Sequence, residues 1–309
     1  MQWGRRPAWP ALPAGVRDGI ETLLGAAVVD AVTPPGGHSP QLAARLRLSD
    51  DRTVFVKAAP GEAGFAETDR REAAITAALP DKAPAPAVLA TGEAAGWFVA
   101  VYADVPGRHP NISPESLDLD PVLDTLADVA VLPVSAELQS VLRGTADVEL
   151  AGYLHGWDVL AHDPPDDVDL WAAPRLRLLA TIEGDRAGAL AGTALSHSDG
   201  RPDNMLIADG HVTLVDWSHA LTGAAWLDAA FLVPQMILDG WEPAEALAVI
   251  RHRVLGDADQ DAVTAFWVAL TGYWQHAGRQ PSPPGAPGLR PYQRAAAAAG
   301  TRLLQLLID

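Results

Sequence analysis

The chain has 309 residues, 49% of them apolar, no cysteine and a formal charge of −17 at pH 7. Such a length can bury a full core in two lobes, and the absence of cysteine excludes a disulfide framework, a thiolate metal site and a cysteine nucleophile. The acidic balance argues against a nucleic-acid partner, which needs a basic face to release counterions, and makes small molecules, cationic ones among them, the expected partners.

The first fifteen residues are broken by Pro7, Pro10 and Pro13 and lack the apolar run of a signal peptide. No stretch approaches the length of a membrane span, so a soluble cytoplasmic protein is expected, with no membrane partner. Lysine occurs at Lys57 and Lys82 alone, every other basic residue being arginine. Each lysine therefore invites a reason.

An apolar run "AAVVDAV" leads into the loop "TPPGGHSP", after which residues 41–58 read as a hairpin, "QLAARLRL" and "TVFVKAA" about a polar turn. A helix fits 66–79 and stops at Pro80. "APAPAVLATG" reads as a proline-punctuated connection, and "GWFVAVYADVPG" as a buried strand that runs into a turn at Pro106 and Gly107. Beyond that turn the spacing becomes helical, at 121–132, 174–190, 225–238, 242–254, 259–276 and 291–308. Residues 147–171, rich in Asp and Trp, show no period and read as an irregular insert. The simplest partition is a small β-rich lobe, 1–103, joined to a larger helical lobe, 104–309.

Lys57 stands in a strand that is otherwise apolar or β-branched. Glu72 falls on the inward stripe of the following helix with Ile75, Ala78 and Leu79, while Glu67, Asp69, Arg70 and Arg71 are read as outward. A carboxylate on a core-facing stripe needs a counter-charge, and Lys57 is the nearest candidate. Paired in this way, the ammonium would be held for phosphate oxygens. Gly36, Gly37 and Ser39 lie one hairpin earlier, where small residues let backbone amides approach phosphates. A plain turn would look the same.

The densest polar stretch is "LSHSDGRPDNMLIADGHVTLVDW", 195–217. Its Asp209-Gly210 is the preferred pair for a two-residue hairpin turn, which sets Asn204 opposite Val215 and brings Asn204 and Asp216 to one open end. An amide oxygen and a carboxylate converging there suit a hard cation such as Mg²⁺; otherwise the two are strand caps. Asp199, five residues upstream, would sit beside that point and could orient a hydroxyl for attack on a phosphate. His197 reads as a brace for the loop. A metal hydrolase built on His197, Asp199, Asp216 and His219 matches no known zinc spacing.

The strand lysine, the glutamate of "RREAAI", the loop "HSDGRPDN" and the closing "LVDW" resemble, in order and spacing, the aminoglycoside phosphotransferase and choline kinase superfamily. The resemblance covers roughly 30–240. It implies an α+β, protein-kinase-like bilobal fold, with a small antiparallel-sheet N-lobe carrying one helix and a larger, mainly helical C-lobe. It further implies Asp199 as catalytic base or hydroxyl-orienting carboxylate, Asn204 and Asp216 as Mg²⁺ ligands, and Lys57, positioned by Glu72, on the α- and β-phosphates of ATP. The backbone of Val101 to Ala103 would meet the adenine, and Asp228 would be structural. This loop departs from the usual pattern at Ser198, Gly200, Arg201 and Asp203, where Arg201 could reach a phosphate or pair with Asp203.

The expected activity is transfer of a phosphoryl group from ATP to a hydroxyl of a small molecule, first an aminoglycoside-type or other antibiotic. Choline, homoserine or a sugar is the rival acceptor, and a nucleotide-binding protein without transferase activity is the rival class. Asp158, Asp163, Asp166, Asp167 and Asp169, flanked by Trp157 and Trp171, are candidates for a cation-binding substrate wall, or for a solvated loop.

Overall fold

The computed structural model describes residues 6–34, 41–62, 64–283 and 286–308. Before the sheet lies a helix that the proline-broken start of the chain does not announce, α1 (Ala14–Leu24). Pro13 precedes its first turn, where proline is tolerated, and Val16, Ile20 and Leu24 form its buried stripe. Five antiparallel strands follow: β1 (Val28–Val32), β2 (Leu42–Leu48), β3 (Thr53–Pro60), then, after α2 (Gly64–Ala78), β4 (Val88–Ala94) and β5 (Trp97–Ala103). Their order in the sheet is β1-β2-β3-β5-β4.

Period-two alternation gives this sheet two faces. Val54, Val56, Val99 and Val101 pack with the stripe of α1, whereas Ala59, Phe98, Ala100 and Tyr102 pack with Ala66 and Ala73 of α2. Lys57, opposite Ala43 and Ala100 in register, shares the α2 face. The connection read in 83–92 becomes strand from Val88 onward, because β5 supplies a pairing partner that local spacing does not reveal.

The chain leaves β5 through Asp104–Gly107 and is fastened at once to the larger lobe. Arg108 and Ile207 exchange backbone hydrogen bonds of 3.2 and 2.8 Å. Gly107 has a φ of +130°, and a Cβ there would stand 2.6 Å from the Ile207 carbonyl oxygen, so the close approach requires glycine. The helices that follow are α3 (Leu119–Ala130), α4 (Ala136–Val141), α5 (Ala146–Glu149), α6 (Gly156–His162), α7 (Leu176–Gly184) and α8 (Arg186–Leu190). The expected helix over 174–190 is thus divided at Asp185, and the aperiodic insert contains two short helices.

Four short strands then carry the polar stretch: β6 (Ala194–Ser196) paired with β9 (Leu221–Gly223), and β7 (Met205–Ala208) paired with β8 (His211–Leu214). The chain ends in α9 (Leu227–Leu238), α10 (Pro243–Ile250), α11 (Gln260–Ala277) and α12 (Leu289–Ile308). One core runs through this lobe around Phe266, Trp267, Leu232 and Met236, and it includes Ile75 of α2. Trp157 and Trp267 are buried in it with their indole N–H groups donating to the carbonyls of Val268 (2.8 Å) and Ala230 (2.9 Å). No helix among the described residues is long and apolar enough to cross a membrane.

Candidate active site

β7 and β8 meet at Asp209 and Gly210, both at positive φ (49° and 77°), as a two-residue primed turn requires. Ala208 pairs with His211 and Met205 with Leu214, and the Val215 N–H donates to the Asn204 carbonyl at 2.9 Å. The hairpin therefore returns Asp216 to the level of Asn204, the register its sequence predicts.

Asp199 is tied to this end. The Asn204 side-chain amide donates to the Asp199 carboxylate at 2.7 Å and to its carbonyl at 3.0 Å, which commits the amide nitrogen and leaves the Asn204 Oδ1 as an acceptor. Asp216 adopts a left-handed backbone (φ 67°) that few non-glycine residues accept. One of its oxygens takes the Ser218 hydroxyl at 3.0 Å and lies 3.5 Å from the Lys57 ammonium. Lys57 in turn bonds Glu72 at 2.6 Å. The strand lysine, the helix glutamate and the hairpin aspartate are thus one contiguous ionic cluster across the two lobes.

Burial sets the electrostatics. It opposes the charge on Lys57, but Asp216 and Glu72 together outweigh it and raise the lysine above its ordinary pKa. At Glu72 burial prevails over the attraction of the ammonium and pushes the carboxyl up to about 7. Burial acts the same way on Asp216, yet there Lys57 wins and holds the carboxylate at about 2. Although enclosed on most sides, Asp216 keeps 43% of its side chain accessible along the cleft. Asp69, read from the sequence as outward, is instead buried beside Glu72, where it takes a hydrogen bond from Gln41 at 3.1 Å and is pushed up to about 6. Positions 69, 72 and 76 form one stripe at helical spacing, and centring that stripe on apolar residues alone conceals it.

The loop is held from behind. Asp228, at the start of α9, accepts the Ser196 hydroxyl (2.8 Å), the His197 N–H (2.7 Å) and the Ser198 N–H (2.8 Å). These bonds fix Ser198 in a left-handed conformation, φ 61°, immediately before Asp199. His197 is fully buried, shares a hydrogen bond of 3.0 Å with the Val215 carbonyl and packs edge-on against Trp217, so it braces the loop. Arg201 pairs with Asp203 at 2.8 Å and stands 3.6 Å from Asp199.

Val101 lies in a strand paired on both sides, and the Ala103 N–H donates to the Ala87 carbonyl at 2.8 Å. Gly36, Gly37 and Ser39 lie outside the described residues. Among the described residues no cluster of three or more His, Cys, Asp or Glu could hold a metal. The Asn204 and Asp216 oxygens fit a cation that takes few protein ligands and completes its shell from water and phosphate.

A cavity of about 270 Å³ opens beside Asp199, lined on the far side by Tyr153, Tyr273, Trp274 and Tyr292. The sequence gives no hint of it, since these residues come from the α5–α6 connection, α11 and α12. The aspartates proposed as a substrate wall are elsewhere: Asp167 pairs with Arg279 at 3.2 Å, and Asp169 accepts the Trp171 N–H at 2.9 Å. Trp157 is core, and Trp171 stacks with Arg175.

Residues 31–266 match the model of the phosphotransferase enzyme family (APH). No curated protein matches the sequence. Among solved structures, a thermostable mutant of aminoglycoside phosphotransferase APH(4)-Ia, in ternary complex with AMP-PNP and hygromycin B, is 15% identical, with 96% of this chain and 98% of that one covered at a TM-score of 0.64. The GDP and kanamycin complex of APH(2")-IIIa is 15% identical over 94% of this chain and 96% of that one, with a TM-score of 0.60. Aminoglycoside-3′-phosphotransferase of type VIII is 22% identical over 84% and 100%, with a TM-score of 0.55. At these identities the likeness is one of fold.

Proposed function

The chain belongs to the phosphotransferase enzyme family, and from that premise we propose that it transfers the γ-phosphoryl group of ATP to a hydroxyl of a small molecule. The observation that carries this reading is the convergence of Lys57, Glu72 and Asp216, at 2.6 and 3.5 Å, with the Asp199–Asn204 pair on the same hairpin end. Lys57, held by Glu72, meets phosphate oxygens. Asn204 and Asp216 hold Mg²⁺, which when bound neutralises charge on the phosphates. Adenine contacts the backbone that runs from Val101 and Ala103 into Asp104 and Val105.

Asp199 orients the acceptor hydroxyl and takes its proton. Its carboxylate is fixed by Asn204 and keeps its other oxygen toward Arg201 and the cavity, so the group is positioned before the acceptor arrives. Phosphoryl transfer asks little covalent chemistry of a protein, and placement of charge is most of the catalysis. Antibiotic inactivation is supported by the kind of enzyme that shares the fold, several of them solved with aminoglycosides.

Release of ADP, measured with a panel of amino sugars, macrolides and amino alcohols, tests the reading. Asp199→Asn is expected to reduce turnover by about 10²–10⁴-fold while Mg·ATP binding persists. Near-wild-type turnover in that variant overturns the role of Asp199. Mg·ATP binding with no ADP release for any acceptor favours a nucleotide-binding protein instead.

A further inference from the structure

We infer that the acceptor is an uncharged hydroxyl compound with an apolar ring face, and not a polycation; this rests on the phosphotransfer reading above and specifies its second substrate. The net charge of −17 attracts cations at long range, but the several ammonium groups of a polycation inside a cavity need several carboxylates or open aromatic faces within contact distance. Among the described residues that line the cavity, Asp199 is the one carboxylate, and it is already engaged by Asn204 and faces Arg201.

Two of the aromatic rings already carry a cation. The Arg201 guanidinium lies 5.3 Å from the centre of Tyr292, and that of Arg143 lies 5.9 Å from the centre of Tyr153. A second cation at either ring meets a like charge. What remains open is Tyr273, edge-on to Tyr153 at 5.6 Å, with Trp274, Phe231 and Leu270 beside it. That surface suits an apolar or aromatic ring face.

The polar groups on the wall are disposed to match. The Tyr292 oxygen accepts from Gln235 at 2.9 Å and the Tyr273 oxygen from Gln293 at 3.4 Å, so each phenol keeps its O–H to donate. Donors of this kind recognise the hydroxyl, ether or carbonyl oxygens of a neutral molecule. The volume, about 270 Å³, lies just below the usual range of ligand pockets and fits one substituted ring. In the transfer, the bond from the γ-phosphorus to ADP breaks, the bond to the acceptor oxygen forms, and the hydroxyl proton leaves to Asp199.

The test uses the full chain with two probe sets: neutral aryl glycosides and aromatic alcohols, and the polycations kanamycin and hygromycin B. Binding is measured by calorimetry and turnover by ADP release with Mg·ATP. A neutral probe is expected to bind and turn over at least about tenfold better than either polycation. For that probe, Tyr273→Ala should raise KM by about tenfold with little change in kcat, and Tyr273→Phe should restore most of the loss. Tighter binding or faster turnover of the polycations overturns the inference and leaves phosphotransfer standing. Binding of a neutral probe without turnover of any compound supports the acceptor chemistry and overturns the transfer reading. Failure of both sets to bind overturns the inference.

Discussion

Glu183 is fully buried in the larger lobe, with each carboxylate oxygen taking one backbone N–H at the start of α6, from Trp157 at 3.0 Å and Asp158 at 2.8 Å. Burial outweighs those two donors and raises the carboxyl from 4.5 to about 7. Between these values the unfolded chain has lost the proton while the folded protein keeps it. Stability from this group is therefore complete below pH 4.5, falls as pH rises toward 7 and is level above. A displacement of that size corresponds to about 3 kcal/mol across the window. Glu183→Gln removes the titration and turns an amide N–H₂ against a backbone donor, so the variant is less stable throughout. The margin of wild type over the variant, from urea unfolding at a series of pH values, should shrink between about pH 5 and 7.5. A margin that stays constant or widens contradicts the buried proton.

Where α6 crosses α11, Gly156 and Gly272 meet backbone to backbone. A Cβ on Gly156 would collide with the Gly272 carbonyl, and one on Gly272 would reach Trp157 and the Glu183 carboxylate. Gly156→Ala is expected to cost about 3 kcal/mol or more, since both backbones and a fully buried tryptophan would have to shift. Gly188→Ala, in α8 with open space around it, should be neutral or stabilising by about 0.5–1 kcal/mol. Equal stability of the two variants would show that this crossing is not tight. These contacts mark the limit of what spacing reveals. The Asp209-Gly210 turn fixes the β7–β8 register from two residues, and the long helices α9, α11 and α12 follow from apolar periodicity. Lys57 and Glu72 are legible because a charge on an apolar stripe demands a partner. By contrast, α1 hides behind prolines that simply precede it, β4 depends on β5, and Asp69 is buried by charges contributed by other elements. The cavity wall is invisible because Tyr153 lies 120 residues before Tyr273 in the chain and only the fold makes them neighbours.

The two lobes share more than the Asp104–Gly107 crossing. Ile75 of α2 reaches the core of the larger lobe, the Leu214 N–H donates to the Pro84 carbonyl at 2.7 Å, and Lys57 lies 3.5 Å from Asp216. The proposed nucleotide site is built on the same α2, whose Glu72 holds Lys57 three residues before Ile75. A ligand bound there touches both lobes, so its binding free energy stabilises the whole chain and not the sheet alone. Thermal unfolding should accordingly be one transition that Mg·ATP displaces upward, by about 2.7 kcal/mol at a concentration one hundred times its Kd. Asp199→Asn should keep that displacement, because its carboxylate serves the acceptor. Lys57→Ala should lose most of it, since Glu72 and Asp216 are left without their ammonium and phosphate without its partner. Calorimetry of the three proteins with and without Mg·ATP checks this. Two separate transitions, of which only the first responds to nucleotide, would mean that the sheet and the helical lobe fold independently and that α2 does not couple them.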